Sequence, residues 1–395
     1  MEQDIVISSP VRTAIGAFGG SLKDTPAVAL GAHAVQALLE RGGPGIAGKV
    51  DNVVLGNVIQ AGNAMNPARQ AAIHGGLAVE VPALTVNRVC GSGAQAVVNA
   101  YADIRAGLAT LVVAGGMENM ERAPYLLPTM RAGARMGDAP VVDAILLDGL
   151  NDAFSGKHSG WHTEDLVAKF GLSRGDQDAY AARSQQRFAA AQAAGHFDTE
   201  VAPLLIKGRK GEISFARDEA VRPDTTVETL ARLKPAFRPE GSITAGNAPG
   251  VNAGAAAMFV SARGTAEQLG LDAMAVIRGV AVAGVEPGYF GLGPIPAIRT
   301  ALARAGWDIG SVDRFEVNEA FAAIALAVQS ELKIADDRYN VDGGAIAHGH
   351  PIGATGAVLI TKAVHALRRT GGRRAVVSLC IGGGQGIALC LEALN

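Results

Sequence analysis

The sequence predicts an α/β fold, with a mainly parallel sheet covered by helices on both faces, from three observations. Short β-branched runs alternate with longer helical patterns in residues 1–120, a pattern typical of sheets with helices packed on both faces. The same alternation returns in residues 274–395. A chain of 395 residues is long enough for two or three domains. We therefore expect two related βα lobes.

The individual elements follow from the local pattern. Strands are predicted where short runs of Val, Ile, Leu and Ala are bounded by turn residues, at 4–7, 53–55, 83–86, 111–114, 274–282, 314–317 and 374–379. Helices are predicted where apolar residues recur every three to four positions, at 28–41, 92–106, 294–305, 321–332 and 353–368. The apolar stretch 375–391 contains four glycines. Two strands joined by a turn are therefore expected there, and not a membrane-spanning helix, which needs roughly 20 apolar residues.

The middle of the chain has a different texture. Between residues 121 and 250, Pro, Gly and charged residues are frequent, and 174–194 is the only long helical candidate. We interpret 121–250 as an inserted loop domain and not as a third sheet. The N-terminal lobe would then comprise 1–120 and 251–273, and the C-terminal lobe 274–395.

The composition excludes several classes of protein. With 49% apolar and 18% charged residues, the chain can bury a core. Its 35 basic and 37 acidic side chains give no field that would attract a nucleic acid. The first residues show no secretory signal. Three cysteines in so long a chain cannot form a disulfide framework, so a reducing compartment, the cytoplasm, is expected.

Two of the cysteines lie in settings that suit chemistry. Cys90, in N-R-V-C-G-S-G-A, precedes a predicted helix whose N-terminus favours a thiolate; the alternative is a small buried hydrophobic residue. Cys380 is followed by I-G-G-G-Q-G, whose N–H groups can converge on an oxyanion or a phosphate, or form only a turn. Both runs fit C-x-x-G-x-Q, so duplicated lobes would place the two cysteines at corresponding strand ends. Cys390 has no such context and is expected in the core.

Two further motifs place polar side chains between a strand and a helix. The run G-G-A-I-A-H-G-H-P-I-G-A-T-G contains His348 and His350, and a histidine beside a cysteine can act as its base. His-x-His is also a metal-binding pattern, but no third ligand with suitable spacing is evident. Asn318, in N-E-A-F, follows a predicted strand and suits either a helix N-cap or a functional amide.

Taken together, these segments resemble the thiolase family of acyl-CoA C-acetyltransferases over essentially the whole chain. Cys90 in N-x-x-C-G-S-G, Asn318 in N-E-A-F, His350 in G-H-P-x-G-x-T-G and Cys380 in C-x-G-G-G-x-G match the four active-site motifs of the family in order. The run R-M-G-D at 135–138 resembles the tetrameric, biosynthetic-type branch, which implies a homotetramer. The resemblance also implies a thiolase-like fold, with two related βα lobes, mixed central sheets covered by helices, and an inserted loop domain.

The resemblance implies a role for each of these residues. Cys90 would attack the thioester of a first acyl-CoA, with His350 as its base, and become acylated. Cys380 would then remove the α-proton of a second acetyl group. His350 and a water held by Asn318 would stabilise the enolate, and the N–H groups of Cys90 and Gly382 would stabilise the tetrahedral oxyanion. Acyl-CoA and CoA are the implied substrates, with no metal or redox cofactor.

For CoA binding, the resemblance implies contacts across the loop domain. Arg222 would lie beside the adenine. Other positions would line the pantetheine tunnel and the acyl pocket, namely Ala245, Gly250, Phe321, His158, Ser159 and Phe290. A basic segment contains Lys207, Arg209 and Lys210. These side chains would either contact the phosphates of CoA or belong to an ordinary solvated loop.

The chain departs from the family pattern at several positions. Pro249 stands where a serine commonly bonds the pantetheine, and proline has neither a hydroxyl nor an N–H. Ala253 replaces an aspartate. Ser159 and Phe290 stand where methionines are usual, so one wall of the acyl pocket is expected to widen and another to narrow. His348 replaces Leu or Ile, and its ring would either face solvent or shift the pKa values of the site.

These features leave three hypotheses for the function. The chain condenses two acetyl-CoA molecules or cleaves a short 3-ketoacyl-CoA; it accepts a broader range of 3-ketoacyl chains; or it binds acyl-CoA or lipid without catalysis. Cys90 and Cys380 could also close a regulatory disulfide under oxidation, which requires Cα atoms within about 7 Å of each other.

Overall fold

The computed structural model describes residues 3–208 and 211–394, and a mixed sheet of ten strands forms its centre. The strands of the described chain are β1 (Ile5–Arg12), β2 (Gly16–Ala17), β3 (Asn52–Gly56), β4 (Ala83–Val86), β5 (Leu111–Asn119), β6 (Tyr125–Leu126), β7 (Val142–Asp143), β8 (Leu204–Gly208), β9 (Gly211–Phe215), β10 (Asn252–Ala262), β11 (Ala273–Gly284), β12 (Arg314–Val317), β13 (Arg374–Ile381) and β14 (Gln385–Ala393). The order across the central sheet is β12-β13-β14-β11-β1-β10-β5-β3-β4, with β2 beside β10.

Helices cover this sheet, and two of them, α3 and α11, pack against each other beneath it. Helix α1 packs over β5 and β10 and against α2, which lies over β3 and β4. The α-helices of the described residues are α1 (Ala27–Gly42), α2 (Pro67–His74), α3 (Ser92–Arg105), α4 (Ser159–Phe170), α5 (Arg174–Ala193), α6 (Val227–Ala231), α7 (Arg263–Gln268), α8 (Pro294–Ala305), α9 (Ala322–Leu332), α10 (Ala345–His348) and α11 (Thr355–Thr370).

The sheet consists of two halves with the same strand order. In the first half, β4, β3 and β5 are parallel, and β10 and β1 follow in antiparallel orientation. In the second half, β12 and β13 are parallel, and β14 and β11 follow antiparallel. The mainly parallel sheet predicted from the alternation is therefore wrong, because each half continues in antiparallel strands. A parallel bridge from Tyr339 to Phe315 stands in the place of β4. Because β1 pairs with β11, the two related lobes predicted from the sequence share one continuous sheet.

The equivalent positions of the two halves differ from those that the C-x-x-G-x-Q pattern indicates. Cys90 follows β4, whereas Cys380 lies within β13, whose counterpart is β5. The prediction that the two cysteines occupy corresponding strand ends is therefore wrong. The segment that corresponds to the Cys90 turn follows Tyr339 and contains His350. Each of these two segments leads into one of the two central helices, α3 or α11.

The segment 121–250 contains helices α4 to α6 and the hairpins β6–β7 and β8–β9. A buried ion cluster joins it to the first strand. Arg12 donates to Glu200 at 2.7 Å and to Asp218 at 2.8 Å. Burial opposes the charge of Arg12, but the two carboxylates raise its pKa overall. Because an unpaired buried charge is costly, this cluster fixes the segment against β1.

Candidate active site

Cys90 lies in a strained turn between β4 and α3. The preceding residue, Val89, has a φ of 46°, a left-handed conformation that is unfavourable for a β-branched side chain. Ser92 stabilises this turn: its hydroxyl donates to the Val89 carbonyl at 2.7 Å and accepts the Arg88 N–H at 2.8 Å. The turn places Cys90 directly before the N-terminus of α3.

The surroundings of the Cys90 sulfur keep it protonated. The residue is partly accessible but enclosed by protein, and this burial raises the pKa of the thiol to about 11, while the N–H groups of Gly382 and of Cys90 itself lower it. The two N–H groups favour the thiolate, as expected at a helix N-terminus, but the loss of solvation outweighs them. Both N–H groups lie close to the sulfur, where an oxyanion bonded to its acyl group would form.

A glycine turn between β13 and β14 presents the Gly382 N–H to Cys90. Gly384 has a φ of 85°, and a Cβ there would lie 2.4 Å from the Val285 carbonyl oxygen. Only glycine fits this position without a shift of the backbone. The glycine run after Cys380 therefore does more than close a hairpin, because it also brings a backbone donor to the first cysteine.

Thr355 fixes the tautomer of His350. The Thr355 hydroxyl donates its proton to the Pro351 carbonyl at 2.8 Å, so it accepts from His350 Nδ1, which lies 2.7 Å away and carries the ring proton. Nε2 is then unprotonated and lies 3.3 Å from the Asn318 amide nitrogen. Burial lowers the pKa of His350 to about 4. The ring is neutral at pH 7, and its Nε2 lone pair, which accepts from the Asn318 amide, is the position at which a general base would take up a proton.

Asn318 and Cys380 lie at the ends of the neighbouring strands β12 and β13. Both residues are almost fully buried. Burial, and then the nearby Cys90, raise the pKa of Cys380 well above its ordinary value, so this thiol is also protonated at rest. Asn318 Oδ1 is buried and has no hydrogen-bond partner among the described residues. The site thus contains two neutral thiols, a neutral imidazole and a free amide acceptor.

A cavity of about 380 Å³ opens beside Cys90. Predicted site residues that line it are Cys90, His350, Gly382, Gly250, Phe321, His158, Ser159 and Phe290. Arg222 and Ala245, in contrast, are exposed and do not line the cavity. Lys207 is exposed on β8, while Arg209 and Lys210 lie outside the described residues.

One wall of the cavity is aromatic, and the sequence did not indicate one of its rings, Phe237. The Phe237 ring stacks on His158 with centroids 4.5 Å apart and meets Phe321 edge-on at 6.1 Å. Phe237 stands in the run L-K-P-A-F-R-P-E, which contains no periodic apolar pattern to mark it. Pro249 also lines the cavity; having neither hydroxyl nor N–H, its side chain adds only apolar surface. Ala253 is buried within β10, between β2 and β5.

His348 is buried, with 1% of its surface exposed, so the alternative that its ring faces solvent is wrong. Neither ring nitrogen has a hydrogen-bond partner within the described chain, although the Gly349 backbone lies nearby. The Phe188 ring is 5.3 Å away. Burial, followed by the charges of Lys362 and Arg12, lowers the pKa of His348 well below its ordinary value. The pKa of His350 is lowered by burial alone, and His348 is not among the causes of that shift.

His348→Leu should stabilise the protein by about 1 kcal/mol, because it removes a buried polar ring without hydrogen bonds. The gain should grow as the pH falls from 8 to 5. The unfolded chain binds a proton at His348 near pH 6.5, whereas the folded chain does not, so the wild type loses stability below that pH. Urea unfolding of both proteins across this range tests the prediction. A gap that stays constant or narrows at low pH would contradict it.

The described part of the chain offers neither a metal cluster nor a membrane span. Residues 3–208 and 211–394 contain no group of three or more His, Cys, Asp or Glu side chains placed to hold a metal ion. In the same ranges, no helix combines the length and the apolar character needed to cross a membrane.

Comparison with known proteins identifies the family. A model of the thiolase N-terminal domain matches residues 5–264, and one of the thiolase C-terminal domain matches residues 271–393. The acetyl-CoA acetyltransferase of Pseudomonas aeruginosa is 51% identical over 390 residues, which cover 98% of this chain and 99% of that protein. That of Cupriavidus necator is 48% identical over 390 residues, with the same coverage of 98% and 99%.

Solved structures agree with these matches. The crystal structure of the Bacillus anthracis acetyl-CoA acetyltransferase has a TM-score of 0.97 and 41% identity, and the match covers 100% of this chain and 99% of that one. Human mitochondrial 3-ketoacyl-CoA thiolase has a TM-score of 0.96 and 41% identity, with 99% of both chains covered. With matches over both halves of the sequence and over the whole fold, the chain belongs to the thiolase family.

Proposed function

We propose that this thiolase, an acyltransferase, moves acetyl groups between CoA thioesters by a ping-pong reaction through an acyl group on Cys90. The reaction condenses two acetyl-CoA molecules to acetoacetyl-CoA and CoA, or runs in reverse as thiolysis. The observation that carries the proposal is the meeting of Cys90, the unprotonated Nε2 side of His350 and the Gly382 N–H at one cavity.

In the first step, the Cys90 sulfur attacks the carbonyl carbon of acetyl-CoA and its proton passes to His350 Nε2. The oxyanion that forms is stabilised by the N–H groups of Cys90 and Gly382. The bond to the CoA sulfur then breaks. Cys380, protonated at rest, gives its proton to the departing CoA thiolate. The enzyme now holds acetyl-Cys90, a protonated His350 and a Cys380 thiolate.

In the second step, the Cys380 thiolate removes the α-proton of a second acetyl-CoA and regains its resting state. The enolate oxygen is stabilised by His350 and by a water bonded to the free acceptor of Asn318. The enolate carbon attacks acetyl-Cys90, and the released Cys90 sulfur takes the proton back from His350. Each proton given up in the first step is thereby returned, so no metal or redox cofactor is required.

The nearest alternative to this proposal is a thiolase that accepts a broader range of 3-ketoacyl-CoA substrates. The two differ in the length of the acyl chain that the enzyme prefers. Phe290 and Ser159 both line the cavity, and we expect the phenyl ring to narrow it and the small serine side chain to leave room. The experiment is to compare turnover of acetoacetyl-CoA with that of longer 3-ketoacyl-CoA substrates in the presence of CoA. We expect the highest kcat/KM with acetoacetyl-CoA. A higher value with a longer chain would favour the broad-range enzyme, and no turnover of either would favour an acyl-CoA binder without catalysis.

Ser159→Met should restrict the acyl pocket further. The longer side chain would fill the space beside Phe290, so kcat/KM for a six-carbon 3-ketoacyl-CoA should fall roughly tenfold or more, while that for acetoacetyl-CoA stays within about threefold. Steady-state kinetics with both substrates measures the ratio. An equal fall for both substrates would show that Ser159 does not select chain length.

Coenzyme A would enter along the exposed side of the loop segment. Gly250 and Pro249 line the cavity there, and we propose that Arg222 and Lys207, both exposed, contact the adenine and the phosphates. Ala245 would bound the pantetheine path. Since Pro249 offers no donor, the pantetheine is held by one hydrogen bond fewer than a serine would give.

We also infer a homotetramer in a reducing compartment such as the cytoplasm. Met136 is 98% exposed and Met130 is 56% exposed; large apolar side chains in one exposed segment favour a contact between subunits. Light scattering of the purified protein at micromolar concentration would report the number of subunits.

All three cysteines are free, which a reducing compartment would maintain.

A further inference from the structure

We propose that Glu118 is a positioning residue for His350, which it holds at the correct distance from Cys90 across the boundary between the two halves of the sheet. Glu118 lies near the end of β5, in the half that carries Cys90. It touches neither the cavity nor the reacting groups. The inference rests on the function proposed for His350.

Glu118 accepts hydrogen bonds from both halves of the molecule. Oε2 accepts the N–H of Gly353 at 3.0 Å and that of Val58 at 3.0 Å. Oε1 accepts the side-chain amide of Asn57 at 2.7 Å. Gly353 belongs to the segment between His350 and α11, whereas Asn57 and Val58 follow β3. One carboxylate therefore links the His350 segment to the carboxyl ends of β3 and β5.

Close backbone contacts make this link stiff. A Cβ at Gly116 would lie 2.2 Å from the Gly353 carbonyl oxygen, and a Cβ at Gly56 would lie 2.5 Å from it. The His350 segment thus rests directly on the ends of β3 and β5, where no side chain intervenes. The hydrogen bond from the Gly353 N–H to Glu118 then fixes the orientation of this segment on the two strands.

The position of Gly353 affects that of His350 through its neighbours Thr355 and Ile352. Thr355, two residues after Gly353, accepts a hydrogen bond from Nδ1 of the His350 ring. Ile352, the residue before Gly353, packs in the same apolar cluster as Val58 and lines the cavity. Loss of the Glu118 bond would let this segment shift relative to Cys90. A displacement of about 1 Å in a reacting group can lower the rate about 10²-fold.

The burial of Glu118 without a cation argues against a role in stabilising the fold alone. It is completely buried, and burial raises its pKa to about 7 in spite of its backbone and Asn57 donors. No basic side chain of the described residues contributes to this shift. A carboxylate buried without a cation is costly, so the contribution of Glu118 lies in the acceptor geometry that it gives to the His350 segment.

Glu118→Gln tests the proposal, because glutamine keeps the size and loses one acceptor. We expect kcat for acetoacetyl-CoA thiolysis to fall about 10- to 100-fold while KM changes less than about threefold. Asp51→Asn is the matched control. Asp51 links the opposite ends of the same two strands by accepting the N–H groups of Thr110 and Leu111, and its substitution should leave kcat unchanged.

A double-mutant cycle shows whether Glu118 acts through His350. The rate of Cys90 alkylation by iodoacetamide is measured in the wild type, Glu118→Gln, His350→Ala and the double variant. We expect Glu118→Gln to slow alkylation in the wild type but not in the His350→Ala background. Equal slowing in both backgrounds, or an increase in KM at constant kcat, would overturn the proposal. If His350→Ala itself alkylates at the wild-type rate, the role proposed for His350 fails and the proposal for Glu118 fails with it, whereas slow alkylation by His350→Ala with equal slowing by Glu118→Gln in both backgrounds overturns the Glu118 proposal alone.

Should Glu118→Gln not fold, Glu118→Asp is measured in the same way. Aspartate keeps the charge but withdraws both oxygens by one methylene from Gly353. The same selective loss of kcat is expected. A wild-type kcat in a folded Glu118→Asp protein would contradict the proposal, because the bond at 3.0 Å to Gly353 could not then be required.

Discussion

Cys90→Ala should lower the rate of acetoacetyl-CoA thiolysis by roughly 10⁴- to 10⁶-fold, as expected when the nucleophile of a covalent mechanism is removed. Substrate binding should change little, because the cavity is lined mainly by other side chains. The two N–H groups near the sulfur would remain but would have no covalent intermediate to stabilise. Steady-state assay of the purified variant, with CoA as the second substrate, measures the loss.

Cys390→Ala is the matched control for this experiment. Cys390 is fully buried in β14, and burial raises the pKa of its thiol to about 12, but it does not line the cavity. Its substitution should cost some stability and leave kcat within about twofold of the wild type. A Cys90→Ala variant that keeps more than a hundredth of the wild-type rate would exclude covalent catalysis by this residue.

Cys380→Ala should separate the two half-reactions. Acetyl transfer from acetyl-CoA to Cys90 should continue, because His350 can return the proton to the departing CoA, whereas condensation and thiolysis should fall at least about 10³-fold for lack of a group that exchanges the α-proton. The measurement is the exchange of the acetyl methyl protons of acetyl-CoA in D₂O. Wild-type protein should catalyse it and Cys380→Ala should not.

The interpretation of Cys380 would fail if the variant exchanged these protons at the wild-type rate. A loss of both acetylation and exchange would point to a disturbed site instead of a missing base. Cys380→Ser helps to separate these cases, because the hydroxyl fills nearly the same volume but is a far weaker acid. It should acetylate Cys90 and also fail to exchange the protons.

Local pattern accounts for the elements whose ends carry a clear signal. The strands β4 and β12 and the helix α8 begin and end where the sequence predicts, since prolines, glycines or charged residues stand at their limits. Strand β10 was not predicted. Its run N-A-G-A-A-A-M-F-V-S-A contains mostly small residues, which suit a strand buried between β1 and β5 but give no β-branched signal.

The motifs identified the family but not the physical state of the site. The helix N-terminus at Cys90 is local and visible in the sequence. The burial that raises the pKa of its thiol comes from distant segments, and no local pattern reports it. Phe237 and Glu118 were missed for the same reason, because their partners His158 and Gly353 lie far away along the chain.

Peptide mapping by mass spectrometry of Cys380→Ala protein treated with acetyl-CoA tests the central claim most directly. The proposed mechanism predicts one acetyl group, attached to the peptide that contains Cys90 and removed again by excess CoA. The same treatment of Cys90→Ala should give no acetylated peptide. Thiolysis by the wild type without any acetyl group on Cys90, or an acetyl group on Cys390 instead, would contradict the mechanism.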